Sequence, residues 1–400
     1  MNKKIILAYS GGLDTSIILQ WLIDKNYEVI CYVANVGQEE NWENVVNKAK
    51  GIGASKVYVE DLKEEFVEEY IFPALQAHAI YDGSYLLGTA LARPLIAKKL
   101  VETAKKEDCS CIAHGATGKG NDQIRFELSA YALQADIQII APWRDPEFFT
   151  QFSGRKDLIN YAKQKGIPVS STLQKPYSMD ANLMHISYEA GSLEDPSQAP
   201  KEDMYLLTKS PKHSPDSATQ IAIEFESGIP VSVKNETDGT CVKGSLALFE
   251  YLNDLGKENG IGRIDIVETR FVGMKSRGVY ETPAGTILMQ AHIDLERLVL
   301  DREVFHLKEE LSLKMAKLIY NGLWFTPEKK FLQAAFDYSQ KNVKGIVKME
   351  LYKGNASIIA RSSPHSLYNN RLASMDELGD YNQSDAEGFI KIQSLRLRNL

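Results

Sequence analysis

The sequence predicts an α/β protein. A doubly wound parallel-sheet domain spans residues 1–170, a mixed α+β domain spans 171–365, and a C-terminal helical segment spans 366–400. Three observations predict this. Short apolar runs alternate with helical spacings through the first 170 residues, the pattern of a parallel sheet with helices on both faces. The alternation stops near residues 167–171, where a stretch rich in Pro, Ser and Asp begins. A chain of 400 residues, at roughly 100–200 per domain, holds two domains or three.

The elements follow in order. Residues 5–9 are an apolar run closed by Ser10-Gly11-Gly12, and 15–25 place Ile17, Ile18, Trp21 and Leu22 at helical spacing. Residues 28–33 predict a strand, 41–52 a helix, 56–59 a strand, and 62–76 a helix interrupted near Pro73. A helix over 91–106, a strand over 111–114, a helix over 123–134 and a strand over 138–141 complete the first domain. Residues 172–218 read as an irregular crossing, too long for an idle loop and expected to lie over a functional surface. Beyond it, 220–225 and 231–234 pair as strands around Gly228-Ile229-Pro230. A helix over 245–258 stops at Asn259-Gly260, residues 264–271 are extended, and a glycine-spaced stretch covers 273–285. Helices follow over 286–300, 303–321 and 328–341, then a hairpin of 345–352 and 356–360 turning at Gly354-Asn355.

Composition excludes several classes. With 44% hydrophobic and 25% charged residues the chain is an ordinary globular protein, not a disordered or fibrous one. A formal net charge of −7 argues against nucleic acid or a membrane surface as partner, because such binding draws on clustered Lys and Arg. No run approaches the length of a membrane span, and the five apolar residues after Lys4 are too few for a signal-peptide core, so a cytoplasmic protein is expected. Cys31, Cys109, Cys111 and Cys241 lack the paired spacing or nearby histidines of a zinc site and read as free thiols in a reducing compartment.

The most informative stretch is strand, Ser10-Gly11-Gly12-Leu13-Asp14-Thr15-Ser16, helix. Two glycines let the backbone turn so that successive N–H groups converge on an anion, and the next helix points its positive end at the same place. Ser10, Thr15 and Ser16 add hydroxyl donors, and Asp14 can cap the helix or hold magnesium. No lysine follows these glycines as a Walker A loop requires, and GxGxxG is absent.

A second motif follows a strand and opens a helix: His114-Gly115-Ala116-Thr117-Gly118-Lys119-Gly120-Asn121-Asp122-Gln123-Ile124-Arg125. At the carboxyl end of the sheet it lies beside the first loop. Its chemistry suits amino-acid ligands. Backbone N–H groups and Thr117 can hold a carboxylate, Asp122 an ammonium group, and Asn121 can donate and accept. Arg125, four residues from Asn121 and on the same helix face, can grip a second carboxylate. His114 is either a core residue or a support for the loop.

SGGLDTS resembles the pyrophosphate-binding loop of the N-type ATP pyrophosphatases, which split ATP between its α and β phosphates and adenylate a carbonyl-type oxygen. The second motif resembles the substrate-binding stretch of the argininosuccinate synthase family. So do Tyr85-Leu86-Leu87-Gly88-Thr89, Ala141-Pro142-Trp143-Arg144, the stretch from Lys175 to Leu183, His185-Ile186-Ser187-Tyr188-Glu189, Gly262–Glu268 and Gly273–Pro283, collinear over nearly the whole chain. The resemblance implies citrulline, aspartate and ATP as substrates, with magnesium, and argininosuccinate, AMP and pyrophosphate as products. It makes 1–170 a nucleotide-binding domain, 171–365 a synthetase domain and 366–400 an oligomerisation segment of a homotetramer.

The resemblance also implies site residues. Ala8, Tyr9, Ser10, Gly11, Gly12, Leu13, Asp14, Thr15, Ser16, Ala34 and Gly115 would contact ATP. Thr117, Asn121 and Asp122 would hold aspartate. Tyr85, Asn121, Arg125, Ser178, Ser187, Glu268 and Tyr280 would hold citrulline. One departure stands out: the family usually has Ser after the Thr of YLLGT, and Ala90 stands here. Losing one hydrogen bond costs about 0.5–1.5 kcal/mol, so citrulline should bind somewhat more weakly unless a hydroxyl such as that of Thr89 compensates. The ending at Leu400 implies a shortened C-terminal contact. No residue is assigned as general base. Rival readings are an amidotransferase, which wants a nucleophilic Cys where Asn2 stands, a tRNA thiolase, which wants a reactive cysteine pair and a basic face, and a non-catalytic nucleotide-binding relative.

Overall fold

Five parallel strands form the first sheet: β1 (Lys3–Ala8), β2 (Tyr27–Asn35), β3 (Lys56–Asp61), β4 (Cys111–Ala113) and β5 (Gln138–Ile140), in the order β3-β2-β1-β4-β5. The computed structural model describes residues 3–118, 120–168, 177–376, 380–398 and 400. The expected domain boundary at 170/171, Lys119 of the second motif and Lys175-Pro176 lie outside these. Central strands of a parallel sheet are covered on both faces and so read as unbroken apolar runs. Ile5, Ile6 and Leu7 of β1 and Val29–Val33 of β2 are all buried. Helices α1 (Leu13–Asp24), α2 (Trp42–Ile52), α3 (Lys63–Phe66), α4 (Phe72–Gln76), α5 (Gly88–Lys106) and α6 (Asp122–Leu133) cover the sheet or lead from it. The doubly wound expectation is borne out.

Several local expectations are corrected. The helical stretch 62–76 is not broken at Pro73. A π-helical turn, Val67–Ile71, lies between α3 and α4 and runs straight into the turn that holds Pro73, so the wider winding just before it accommodates the proline ring and the missing N–H. Helix α5 starts three residues before Leu91, at Gly88, and carries Pro94 inside. Two helices absent from the sequence reading, α7 (Pro146–Gln151) and α8 (Arg155–Gln164), follow β5.

The second half holds two antiparallel sheets. Strands β6 (Ser178–Ala181) and β7 (Ile186–Glu189) arise inside the stretch read as irregular. Next come β8 (Thr219–Glu226), β9 (Ile229–Asn235), β10 (Cys241–Lys243), α9 (Ser245–Glu258), β11 (Arg263–Thr269) and β12 (Lys275–Glu281). That last strand lies in the stretch read as glycine-spaced. Helices α10 (Pro283–Val299), α11 (Arg302–Tyr320) and α12 (Pro327–Gln340) precede β13 (Gly345–Tyr352) and β14 (Asn355–Ser362), then α13 (Asn370–Ala373) and α14 (Asp385–Arg398). One sheet runs β10-β9-β8-β13-β14 and buries one face: Ile221, Ile223 and Phe225 alternate on β8, Val347, Met349 and Leu351 on β13. The other runs β11-β12-β7-β6. No helix among the described residues is long and apolar enough to cross a membrane.

Between α4, α10, α11 and α12 lies a buried polar cluster. His78 Nε2 meets His292 Nδ1 at 2.8 Å, His292 Nε2 meets Gln340 Oε1 at 2.9 Å, and Lys308 Nζ stands 3.0 Å from Glu296 Oε2. His78, His292 and Glu296 lie at metal-ligand separation, but the Lys308 ammonium already supplies the cation beside Glu296.

Candidate active site

Two loops leave the carboxyl edge of the parallel sheet between β1 and β4, where the strand order reverses, and face one cleft of about 440 Å³. The first loop follows β1. Gly11 has φ +75°, a left-handed backbone that favours glycine, and a Cβ there would stand 3.0 Å from Val45 Cγ2. Lys48 Nζ donates to the Gly11 carbonyl at 2.7 Å. Ser10 Oγ and Thr15 Oγ1 are 3.1 Å apart, and Gly12 N donates to Ser10 Oγ at 3.4 Å. Helix α1 then starts at Leu13 with no side-chain cap, so its first N–H groups remain available to an anion.

The cleft wall takes Ser10, Asp14 and Thr15 from this loop. Asp14 does not cap the helix; its carboxylate is exposed, and desolvation by the surrounding wall raises its pKa. Ser16 turns inward instead: it is buried, donates to the Gly12 carbonyl at 2.6 Å and meets the Tyr9 hydroxyl at 3.1 Å. Ala8, Tyr9, Gly11, Gly12, Leu13 and Ala34 shape the loop and the neighbouring strand ends without lining the cleft.

The second loop brings Gly115, Thr117, Asn121, Asp122 and Arg125 to the same cleft. Asn121 Oδ1 accepts the backbone N–H of Phe271 at 3.1 Å, which fixes the amide and leaves its two N–H donors and one lone pair for a ligand. Asp122 is shared by two guanidinium groups. Arg93 Nε reaches Oδ2 at 3.0 Å and Arg125 NH1 reaches Oδ1 at 3.0 Å. Burial pushes the Asp122 pKa up, but these two arginines hold it below the usual carboxylate value. Arg125 also donates Nε to the Tyr320 carbonyl at 2.9 Å. Behind the loop His114 is buried, and its Nε2 meets Glu127 at 3.1 Å, which settles it as a supporting residue.

The opposite wall is one face of the β11-β12-β7-β6 sheet. Tyr280 pairs with Ser187, Ser187 with Asp180, and Glu189 with Ser178, so the alternation of strands points all five the same way. Glu268 lies four residues from Ile264, the partner of Tyr280, and joins that face. Glu268 accepts from Tyr280 OH at 3.0 Å and Tyr320 OH at 2.9 Å, while burial raises its pKa. Tyr85 stacks on Tyr280 with centroids 4.4 Å apart.

The structure adds residues that the sequence reading left unassigned. Arg93 NH2 reaches Asp180 Oδ2 at 2.8 Å, tying α5 to β6, and Thr89 Oγ1 donates to the same oxygen at 2.8 Å. Thr89 also meets His185 Nε2 at 2.8 Å, so its hydroxyl is committed and cannot stand in freely for the one missing at Ala90, which is fully buried. Arg270 NH2 pairs with Glu189 at 2.8 Å, and burial raises the pKa of Glu189. In the sequence Asp180 and Glu189 stood only as members of the motifs around Ser178 and Ser187, two residues from each, with no role attached.

A glycine loop and an uncapped helix start at the switch point of a parallel sheet, facing carboxylates and guanidinium groups, suit an ATP-using ligase. Comparison with known proteins agrees. The arginosuccinate synthase N-terminal HUP domain family matches residues 4–168, and the arginosuccinate synthase C-terminal domain family matches 177–400. The argininosuccinate synthase of Thermotoga sp. (strain RQ2) is 58% identical over 398 residues, covering 100% of this chain and 97% of the relative. That of Danio rerio is 55% identical over 394 residues, covering 98% and 95%. That of Schizosaccharomyces pombe is 54% identical over 399 residues, covering 99% and 97%. The chain belongs to the argininosuccinate synthase family.

Proposed function

We propose that the cleft joins L-citrulline to L-aspartate at the expense of ATP, forming argininosuccinate, AMP and pyrophosphate through citrullyl-AMP. The observation that carries this is convergence: an anion loop, a doubly paired Asp122 and the polar face holding Glu268 and Tyr280 line one cleft. Ser10, Thr15 and the start of α1 would bind the ATP phosphates, with Gly11, Gly12 and the inward-turned Ser16 shaping the loop, Gly115 against the nucleotide and Ala34 at the neighbouring strand end. Thr117, Asn121 and Asp122 would hold aspartate. Tyr85, Asn121, Arg125, Ser178, Ser187, Glu268 and Tyr280 would hold citrulline, Arg125 on its carboxylate and Glu268 on its ammonium group.

The ureido oxygen of citrulline attacks the α-phosphorus, and the bond to the β-phosphate oxygen breaks. Charge developing on the departing pyrophosphate would be met by the Ser10 and Thr15 hydroxyls on the cleft wall and by the uncapped start of α1, which is electrostatic stabilisation by groups already in place. The aspartate amine then attacks the ureido carbon, AMP leaves and a proton is lost. Holding three substrates in line supplies much of the acceleration. Magnesium is bound in such sites through one or two carboxylates and the substrate phosphates, and exposed Asp14 at the loop would be that carboxylate.

We further propose a cytoplasmic homotetramer. Helix α14 buries none of its residues and exposes Phe389, Ile390, Ile392, Leu395 and Leu397, a stripe suited to a second copy. The reaction is tested by product analysis with ATP, magnesium, citrulline and aspartate, leaving out each in turn. AMP, pyrophosphate and argininosuccinate appearing only with both amino acids is the expected result. ATP cleavage indifferent to citrulline would sink the proposal.

A further inference from the structure

Tyr320 closes α11, is fully buried, and lies behind the cleft wall. Each of its polar groups is in use. Its hydroxyl donates to Glu268 Oε1 at 2.9 Å, and its carbonyl accepts from Arg125 Nε at 2.9 Å. The Arg125 guanidinium also sits 5.0 Å from the centroid of its ring. The ring stacks on Tyr81, centroids 3.7 Å apart and planes 6° from parallel. Two residues on, Gly322 has φ +77°, and a Cβ there would stand 2.6 Å from Arg125 Cα, so the chain can turn here against α6 only as glycine.

Resting on the reading that Arg125 and Glu268 grip the two ends of a zwitterion, we infer that Tyr320 is a positioning residue for citrulline. It fixes the separation of the cation and the anion that hold the substrate's carboxylate and ammonium group, and it does so without touching the substrate. The physical need is plain. Arg and Glu have long side chains, and two opposite charges facing one cleft collapse onto each other unless each is committed elsewhere. Here both bond to one rigid, stacked residue, and their remaining contacts, Arg125 to Asp122 and Glu268 to Tyr280, spread them apart. Ordering both before substrate arrives removes an entropic cost from binding.

The consequence is readable in pH dependence as well as affinity. Glu268 is faced by Tyr280 of β12, Tyr320 of α11, Arg125 of α6, Arg270 after β11, Glu189 of β7, and Tyr81 and Tyr85 of the loop before α5. Burial raises its pKa, and the Tyr320 and Tyr280 hydroxyls oppose that by bonding the ionised form. Removing the Tyr320 hydroxyl raises the pKa further, so the ionised form is lost at higher pH.

The test is steady-state kinetics of Tyr320→Phe, which keeps the ring and the carbonyl. Citrulline KM should rise about tenfold, the scale of one hydrogen bond to a charged group, while the KM values for ATP and aspartate hold. The acid limb of kcat/KM for citrulline should move to higher pH. Replacing Tyr320 by 3,5-difluorotyrosine, isosteric and a stronger donor, should move that limb to lower pH, and serves if the Phe variant folds poorly. An unchanged citrulline KM and limb, or an equal rise in all three KM values, overturns the inference. Glu268→Gln separates it from the reading beneath. If that variant leaves citrulline KM unchanged, Glu268 is no citrulline ligand and both fall. If it raises citrulline KM while Tyr320→Phe does not, only the role of Tyr320 falls.

Discussion

Asp122 shows how a site residue can be charged and already paired before any ligand arrives. Arg93 and Arg125 both bond it, and they keep it ionised at neutral pH although burial opposes that. On the proposed reading an incoming ammonium group would therefore join a fixed anion. Asp122→Asn removes the charge but not the shape. Aspartate KM should rise at least about tenfold, since a charge-assisted bond is worth about 1.5–3 kcal/mol, with ATP KM little changed. Initial rates at varied aspartate check this. Elsewhere burial acts on histidine. His292 is fully buried and its pKa is pushed down to about 3, so it stays neutral in the fold throughout the ordinary pH range. The unfolded chain takes up a proton near pH 6.5, so the fold loses stability as pH falls below that value, by about 1.4 kcal/mol per pH unit for each such group. His292→Gln should therefore gain on the parent by about that slope between pH 6.5 and 4, whatever its cost at pH 8. Urea unfolding of both proteins across that range measures it, and parallel stability curves would refute it.

At the scale of elements, the first loop is suited to an anion because a strand, a left-handed glycine and a helix start are fused in a few residues. The Gly11 turn is held on one side by Lys48 and packed on the other by Val45. Gly11→Ala must place a side chain in a left-handed backbone, at about 1–2 kcal/mol, and press it on Val45. ATP KM should rise about tenfold or more, and citrulline-dependent exchange of pyrophosphate into ATP should weaken in step. The loop itself was legible, because two glycines after an apolar run leave few alternatives. Strands β6, β7 and β12 were not. They carry polar residues on the face turned to the cleft, so the apolar side that marks a strand shrinks to isolated residues such as Tyr188 and Val279. A strand that serves a binding site gives up half of its own signal. The π-helical turn escaped for a different reason: Pro73 looked like the breaker, whereas the extra residue is accommodated one turn earlier.

At the scale of the molecule, the cleft exists only where the two halves meet. Arg93 links α5 to Asp180 on β6, and Tyr320 carries α11 to Arg125 on α6. The far end of the chain behaves differently. Helix α14 buries nothing, so it contributes little to the fold of its own protomer. Deleting residues 366–400 should leave a folded protein with a clearly lower assembled mass. Light scattering after size exclusion reads the mass, and circular dichroism confirms the fold. An unchanged mass would remove the helix from the proposed subunit contact.

What the sequence determined by itself was local. Apolar runs and helical spacing marked most strands and helices of the first domain, and two glycine loops marked where an anion and two amino acids would sit. Collinear motifs pointed to the residues and to the family. Only the tertiary structure decided which of those residues share a wall, that Asn121 is held by the Phe271 backbone, that Ser16 turns inward, and that Arg93, Asp180, Glu189, Arg270 and Tyr320 belong with the rest. The reason is range. Spacing within a helix or strand follows from bond geometry a few residues long, whereas a charge finds its partner across 87 residues of chain for Arg93 and Asp180, or 195 for Arg125 and Tyr320, only once the elements have packed.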